Sequence, residues 1–293
     1  MSVVIPAFNC GDEIVGAIDS ALAQVGVVTE VLVVNDGSTD GRTVDVLRQL
    51  QTQHPERLTV LHQPNQGPAA ARNTAIRQAK GDWIAFLDHD DRWSIDKLQQ
   101  QLKIGMDLTA DVVLTAAENF DDIRRVAQLR GVPPIDTQTD VYRELLADNF
   151  VTLSSALVRR DCLMMAGLFD EQWKGVEDWA LWLTLANIGC RFAAIPHPLV
   201  QYRWHATSLS RNHEAMQRQR RELIQQSLKS ARGRQVSRID RRKILAGERM
   251  CSAWFMAEAS PRKAILLYLQ ALRHCPLHLP AWKGVIKGLL RRS

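Results

Sequence analysis

The chain has 293 residues, 46% hydrophobic and 24% charged, a composition that excludes a disordered or fibrous protein and leaves room for one large or two modest domains. It contains no run of eighteen apolar residues, and its start, MSVVIPAF, has neither the basic flank nor the apolar stretch of a signal peptide, so a cytoplasmic protein is expected. The net charge of +5 hides a division: residues 211–293 carry 19 Lys and Arg against 5 Asp and Glu, a net of +14, which leaves −9 on the residues before them.

The predicted elements alternate from the first residues onward. Short β-branched runs at 2–6 and 30–36 flank a helical pattern at 13–25, as in a β-α-β unit with buried parallel strands. The cycle continues with a helix at 43–54, a strand at 58–62, a helix at 68–80 and a strand at 83–88. Such alternation predicts an α/β fold with a mostly parallel, Rossmann-like sheet flanked by helices. Ligands of open α/β sheets gather outside the carboxyl ends of the strands, which here read PAFN, NDGSTDG, QPNQG and DHDD. A less regular stretch follows, with strands expected at 112–116 and 155–158 and a helix at 179–188; it is read as the remainder of one domain, 1–210, bearing the acceptor side. From about 205 the pattern is wholly helical, giving a basic region, 211–293, with two amphipathic segments after a polar RGRQVSR link. Residues 257–282 there resemble a single tetratricopeptide unit. This basic region suits nucleic acid, an anionic membrane surface, the acidic part of the same chain, or simply a solvated helical face. The five cysteines, Cys10, Cys162, Cys190, Cys251 and Cys275, are odd in number and never spaced C-x-x-C, so packing thiols are expected rather than a disulfide framework or a zinc site.

Neither G-x-G-x-x-G nor a phosphate loop ending in Gly-Lys-Ser/Thr is present, which argues against a dehydrogenase or a P-loop enzyme. After the first strand stands Pro6-Ala7-Phe8-Asn9, a rigid turn with an aromatic face and an amide, suited to a nucleoside. Asp36 ends the second strand, where a carboxylate accepts from a ring N–H of uracil or makes an Asx turn. Gly67-Pro68 opens a helix whose N-terminal amides attract phosphate, with Arg72 one turn in. In FLDHDDRW, Asp88 and Asp90 flank His89 and form an oxygen-rich site for Mg²⁺ or Mn²⁺ shared with substrate phosphates, while Asp91 or Ser94 caps a helix expected near Ile95. Glu177 and Asp178 begin the helix WALWLTLANI, where a carboxylate is favoured in its ionised form, and capping alone accounts for them equally well. His205, in YRWH, is a further metal-ligand candidate.

In order, VIPAFN, NDGSTDGRT, NQGPAAARN, FLDHDDRW, EDWALW and YRWH resemble the family 2 glycosyltransferases of the GT-A fold over roughly the first 210 residues. Phe8 in place of a tyrosine and the intervening Arg42 depart from the family motifs. The resemblance implies metal-dependent, inverting transfer of a sugar from a nucleotide-diphosphate donor, with Asp36 on the base and a UDP-sugar therefore favoured. It further implies Asp88 near the ribose, Asp90 on the Mn²⁺ or Mg²⁺ that bridges the phosphates, and Asp178 as general base beside Glu177. A polysaccharide or lipid-linked glycan precursor is the expected acceptor, with peripheral attachment of 211–293 to the inner face of an anionic membrane and no nucleic-acid partner. The competing reading is a catalytically inactive nucleotide-sugar sensor or interaction module. Nucleotidyl transfer would want a glycine-rich basic loop where PAFNCGDE is acidic.

Overall fold

The computed structural model describes residues 1–120, 128–203, 213–257 and 260–290. Three β-α units and a fourth strand open the chain: β1 (Ser2–Ala7), α1 (Glu13–Leu22), β2 (Glu30–Asp36), α2 (Gly41–Gln53), β3 (Leu58–Gln63), α3 (Pro68–Gln78) and β4 (Trp83–Phe86). β1 is buried along its whole length and β2 from Val31 onward, as continuous apolar strands covered on both faces must be. β1 lies between β2 and β4, with Val3 opposite Val31 on one side and Ala85 on the other, all parallel. α1 covers this sheet with Ile14, Ala17, Ile18 and Ala21, the spacing of one helical face.

β5 (Arg92–Trp93), α4 (Lys97–Asp107), β6 (Val112–Phe120), β7 (Gln128–Arg130), α5 (Val141–Ala147), β8 (Leu157–Arg159), α6 (Arg160–Met165), α7 (Glu177–Asn187) and β9 (Phe192–Arg203) follow. They extend the sheet to the order β3-β2-β1-β4-β8-β6-β9-β5, with β7 on β6. Beyond β4 the directions mix: β8 is antiparallel to β4 and to β6, β9 parallel to β6, and β5 antiparallel to β9. Two boundaries differ from expectation at the loop that matters most. β4 ends at Phe86 because the chain turns at once, the Asp91 amide donating to the Asp88 carbonyl at 3.1 Å. The next helix starts at Lys97 instead of Ile95, and neither Asp91 nor Ser94 stands at its N-cap, which is Asp96.

The chain divides into two compact units, the first made of 1–141, 150–172 and 177–206, the second of 142–149, 173–176 and 207–293. Branched and aromatic residues of the sheet and its helices, among them Ile5, Ile18, Val33, Trp83, Leu98 and Val113, form the core of the first. The second contains α8 (His213–Ser227), α9 (Arg238–Met256), α10 (Pro261–His274) and α11 (Leu279–Leu290), among the described residues three helices after the polar link where two amphipathic segments were expected. α10 packs against both α9 and α11 around Ala253, Met256, Ala264, Tyr268, Ala271 and Val285. The Tyr142 hydroxyl donates to the Ser227 carbonyl at 2.7 Å, which ties α5 to this unit. Among the described residues no helix is long and apolar enough to cross a membrane.

Candidate active site

The site is built outward from the end of β4. The Asp88 amide donates to Ser154 Oγ at 3.0 Å, and that hydroxyl donates to Asp91 Oδ2 at 2.5 Å. Asp91 Oδ1 accepts the Arg203 amide at 2.9 Å, while Arg203 Nε reaches the Asp90 carbonyl at 3.2 Å. Asp91 is 1% exposed, so the third carboxylate of FLDHDDRW is an internal tether between the turn, the segment before β8 and the end of β9. Burial, and then the negative charges of Asp88 and Asp90, push its carboxyl well above the usual range. Asp88, His89 and Asp90 remain half-buried on the rim.

Arg72 is the cation around which the rest collects. It sits one turn into α3, 5% exposed, with one terminal nitrogen 2.7 Å from Asp88 Oδ1 and the other 3.6 Å from Glu177 Oε1. Its guanidinium lies 5.5 Å from the centroid of the Phe169 ring. Burial alone would lower its pKa; the charges of Asp88, Glu177 and Asp178 outweigh that and hold it above the ordinary value. Neighbouring Asn73 fixes the Phe169 segment: its amide donates to the Phe169 carbonyl and to Glu171 Oε1, both at 2.9 Å, and accepts the Phe169 amide at 2.9 Å. Asp88, Asp90, Asp91, Glu177 and Asp178 thus share one neighbourhood, although Glu177 and Asp178 follow Asp88 by about ninety residues. α7 begins at Glu177, so both carboxylates stand in its first turn, and Asp178 Oδ1 accepts the Trp179 amide at 2.6 Å. Glu177 Oε2 and Arg72 Nε are buried without a hydrogen-bond partner among the described residues.

The residues expected to meet the base lie at the ends of β1 and β2. Asp36, 3% exposed, accepts from Gln63 Nε2 at 2.7 Å, from the Gln66 amide at 2.9 Å and from the Gly67 amide at 2.8 Å. Three of its roughly four lone-pair positions are therefore engaged, and the carboxylate shapes the entrance to α3. The Asx turn belongs instead to Asn35, whose Oδ1 accepts the Ser38 amide at 2.9 Å. Gly67 enters α3 at φ 92°, a conformation that suits glycine, and Pro68 takes the first helical position as the sequence predicts. Asn9, at φ 47°, spends its side-chain oxygen on the Thr39 and Asp40 amides, at 2.8 and 3.2 Å. Pro6 and Ala7 are buried in β1, and Phe8 is 44% exposed just beyond it. His205 lies outside the described residues.

Ser154 and Phe169 carry no mark in the sequence, and Asn73 and Gln63 are read there only as members of NQGPAAARN and QPNQG, with no role of their own. Each acts through a partner far along the chain, and none sits in a spacing that marks it; a polar side chain inside an apolar run, as at Ser154 in VTLSSALV, is the nearest thing to a sign. The carboxylates fit a divalent cation by their chemistry. Asp88 and Asp90 are hard oxygen donors whose charges already act on Asp91, and Mg²⁺-type sites use one or two carboxylates together with substrate phosphates. Among the described residues no group of three or more His, Cys, Asp or Glu is arranged as a complete cage.

Residues 2–164 match the family model described as glycosyl transferase family 2. The chain is 31% identical over 218 residues, 72% of its own length and 82% of the relative's, to TuaG of Bacillus subtilis (strain 168), named as a candidate teichuronic acid biosynthesis glycosyltransferase. It is 29% identical over 227 residues, 78% of this chain and 84% of the other, to WfaP of Escherichia coli, a UDP-Glc:alpha-D-GlcNAc-diphosphoundecaprenol beta-1,3-glucosyltransferase. Several further glycosyltransferase relatives are longer proteins, of which the chain spans 34% or less. Among solved structures, S. aureus TarS 1-349 in complex with UDP-GlcNAc superposes with a TM-score of 0.71 at 19% identity, covering 98% of this chain and 88% of that one. The mannosyltransferase PcManGT from Pyrobaculum calidifontis, in complex with GDP-Man and Mn²⁺, superposes with a TM-score of 0.62 at 22% identity, covering 99% and 79%. The fold is that of the GT-A glycosyltransferases.

Proposed function

The chain belongs to glycosyl transferase family 2, enzymes that act on nucleotide-sugar donors, and from that premise we propose that it moves a sugar from a UDP-sugar to an acceptor hydroxyl with inversion at the anomeric carbon. The observation that carries the reading is the Arg72 bridge, which joins Asp88 on the donor side to Glu177 on the side of the general base. In this reading Phe8 offers its ring to the uracil and the remaining acceptor position of Asp36 takes the ring N–H. The α3 N-terminus and Arg72 face the diphosphate. Asp88 and Asp90 hold Mn²⁺ or Mg²⁺, which when bound supplies positive charge for the departing diphosphate. Asp178 accepts the proton of the acceptor hydroxyl; that oxygen forms its bond to the anomeric carbon while the bond from that carbon to the diphosphate oxygen breaks, and the nucleoside diphosphate leaves with the electron pair. One displacement with one base suffices, so no covalent sugar-enzyme species is required. Similarity to WfaP supports a lipid-linked or polysaccharide-precursor acceptor.

A thermal-shift screen of nucleotide-sugars with and without Mn²⁺ tests this. A ligand that binds only the folded state adds about 2.7 kcal/mol at a hundred times its dissociation constant. If no nucleotide diphosphate raises the midpoint in a metal-dependent way, the donor reading is wrong. Asp178→Asn should keep the donor-induced shift and lower transfer by about 10²-fold or more, the contribution of a positioned base. Binding without transfer by the unaltered chain, with every acceptor class offered, would favour the sensor reading instead.

A further inference from the structure

We propose that the outward face of α10 and α11 docks on an anionic lipid bilayer. The face follows from how α11 packs. Its small residues lie toward α10: Ala281 and Val285 are in the shared core, a Cβ on Gly284 would stand 2.5 Å from the Tyr268 ring, and one on Gly288 would stand 2.7 Å from Ile265 Cγ1. At 3.6 residues per turn the opposite side carries Leu279, Trp282 and Ile286, which are 71%, 48% and 54% exposed. Lys283 and Lys287, one turn apart and exposed, run beside that stripe. α10 buries Tyr268 and Leu272 on its packed side and leaves Leu266 and Leu269 exposed among Arg262 and Arg273, and Leu277 in the connection is 93% exposed. Core-forming helices turn their large apolar residues inward; in α11 Ala281, Gly284 and Gly288 are turned inward with Val285, while Leu279, Trp282 and Ile286 are outside.

Charge selects the occupant. Residues 259–293 hold seven Lys and Arg and no Asp or Glu. Apolar side chains that enter the boundary between headgroups and acyl chains, flanked by lysines that meet lipid phosphates, form an interfacial surface. A second copy of the same face would set these like charges against each other. A nucleic acid would answer the cations and leave Leu277, Leu279 and Ile286 in water. The inference deepens the proposed function, on which it rests for its purpose: an enzyme with a lipid-linked acceptor meets that acceptor at a membrane surface. The docking itself is measured without activity.

The test is flotation of the full chain with neutral phosphatidylcholine vesicles and with vesicles that also contain phosphatidylglycerol. The chain should float with the anionic vesicles alone. Lys283→Gln with Lys287→Gln should lower its partition by about thirtyfold, at about 1 kcal/mol for each basic residue lost near the surface. Trp282→Ser with Ile286→Ser should lower it about tenfold with the charge unchanged. Both variants should keep the wild-type thermal midpoint and donor-induced shift; if one unfolds, the other carries the test. The proposal falls if the unaltered chain ignores anionic vesicles, if folded variants bind them undiminished, if an RNA homopolymer outcompetes them, or if light scattering finds a dimer that Trp282→Ser with Ile286→Ser dissolves. Vesicle binding by a chain that shows no donor-induced shift would overturn the proposed function and leave the docking surface standing.

Discussion

Arg72 keeps its charge inside the protein because carboxylates outnumber it there. Removing it strands Asp88 and Glu177, whose side chains are 28% and 13% exposed, without the cation that offsets their partial desolvation. Arg72→Met should therefore cost about 3 kcal/mol or more in urea unfolding, as broken buried pairs do, and abolish transfer. Arg72→Lys should recover stability better than activity, since an ammonium restores the charge and not the planar fork that reaches two carboxylates. Lys97 is the opposite case. It is wholly buried, donates to Gln101 Oε1 at 2.7 Å, stands 4.1 Å from the Trp93 ring centroid, and burial pushes its pKa well below the ordinary 10.5. Between that lowered folded value and 10.5 the unfolded chain binds a proton that the folded chain does not, so stability rises with pH across the window and is lost as pH falls through the folded pKa. Urea titrations at stepped pH should show the wild type gaining up to about 1.4 kcal/mol per pH unit relative to Lys97→Met within that window, and a flat difference would refute the assignment. Asp88 and Asp178 stand out in the sequence because each lies in a motif of its own, FLDHDDRW and EDWALW. Nothing in the sequence marks Lys97 as buried or pairs Arg72 with Glu177, because those contacts join elements far apart in the chain.

At the scale of elements, one hydroxyl links the two ends of the turn after β4. Ser154 accepts from the Asp88 amide and donates to Asp91, and Trp93 Nε1 donates to the Ser154 carbonyl at 2.8 Å. Ser154→Ala should leave Asp91 Oδ2 and the Asp88 amide without that partner, at a cost of about 1–3 kcal/mol in chemical denaturation. Because the turn also presents Asp88 and Asp90, the apparent affinity for donor and Mn²⁺ should weaken in the same variant, whereas a purely structural serine would leave it untouched; Ser154→Thr should restore part of both. The sequence announced α3 where local chemistry begins it, at Gly67-Pro68; α2 begins at Gly41, two residues before the expected start, because the Asp40 carboxylate caps it and accepts the Thr43 amide at 3.1 Å. It misled at α4, where cap-like residues are plentiful and Asp91 is drawn inward by Ser154 and Arg203. The same contrast separates the parallel strands from the later ones. β1 and β2 declare themselves by continuous β-branched runs; β8, expected at 155–158, spans Leu157–Arg159 between β4 and β6, whereas β5, two residues paired with β9, carries no pattern of its own.

For the whole molecule, the division of charge near residue 210 was visible in composition, but the interleaving of the two units was not. α5 carries no mark of its destination, yet its Tyr142, 2% exposed, bonds the Ser227 carbonyl and Ser230 Oγ at 2.7 and 2.8 Å, and Arg143 pairs with Asp240 at 2.9 Å. Residues 173–176 also belong to the second unit, with Trp173 and Val176 only 7% and 6% exposed. A chain cut after residue 210 therefore loses more than a tail. Tyr142 loses its acceptors, and the buried groups of two internal segments lose the helices they are grouped with; uncovering an aromatic or branched side chain costs about 1.5–3 kcal/mol each. The Arg143–Asp240 pair, whose arginine side chain is 54% exposed, adds little to this, since ion pairs open to water are weak. The truncated protein should melt lower than the full chain, bind a hydrophobic dye in its native state and self-associate on gel filtration. A monomeric fragment 1–210 with the full-length melting midpoint would show that the first unit stands alone. Supplying 211–293 as a separate chain should restore the midpoint in part, because the segments at 142–149 and 173–176 remain in the fragment as its docking points.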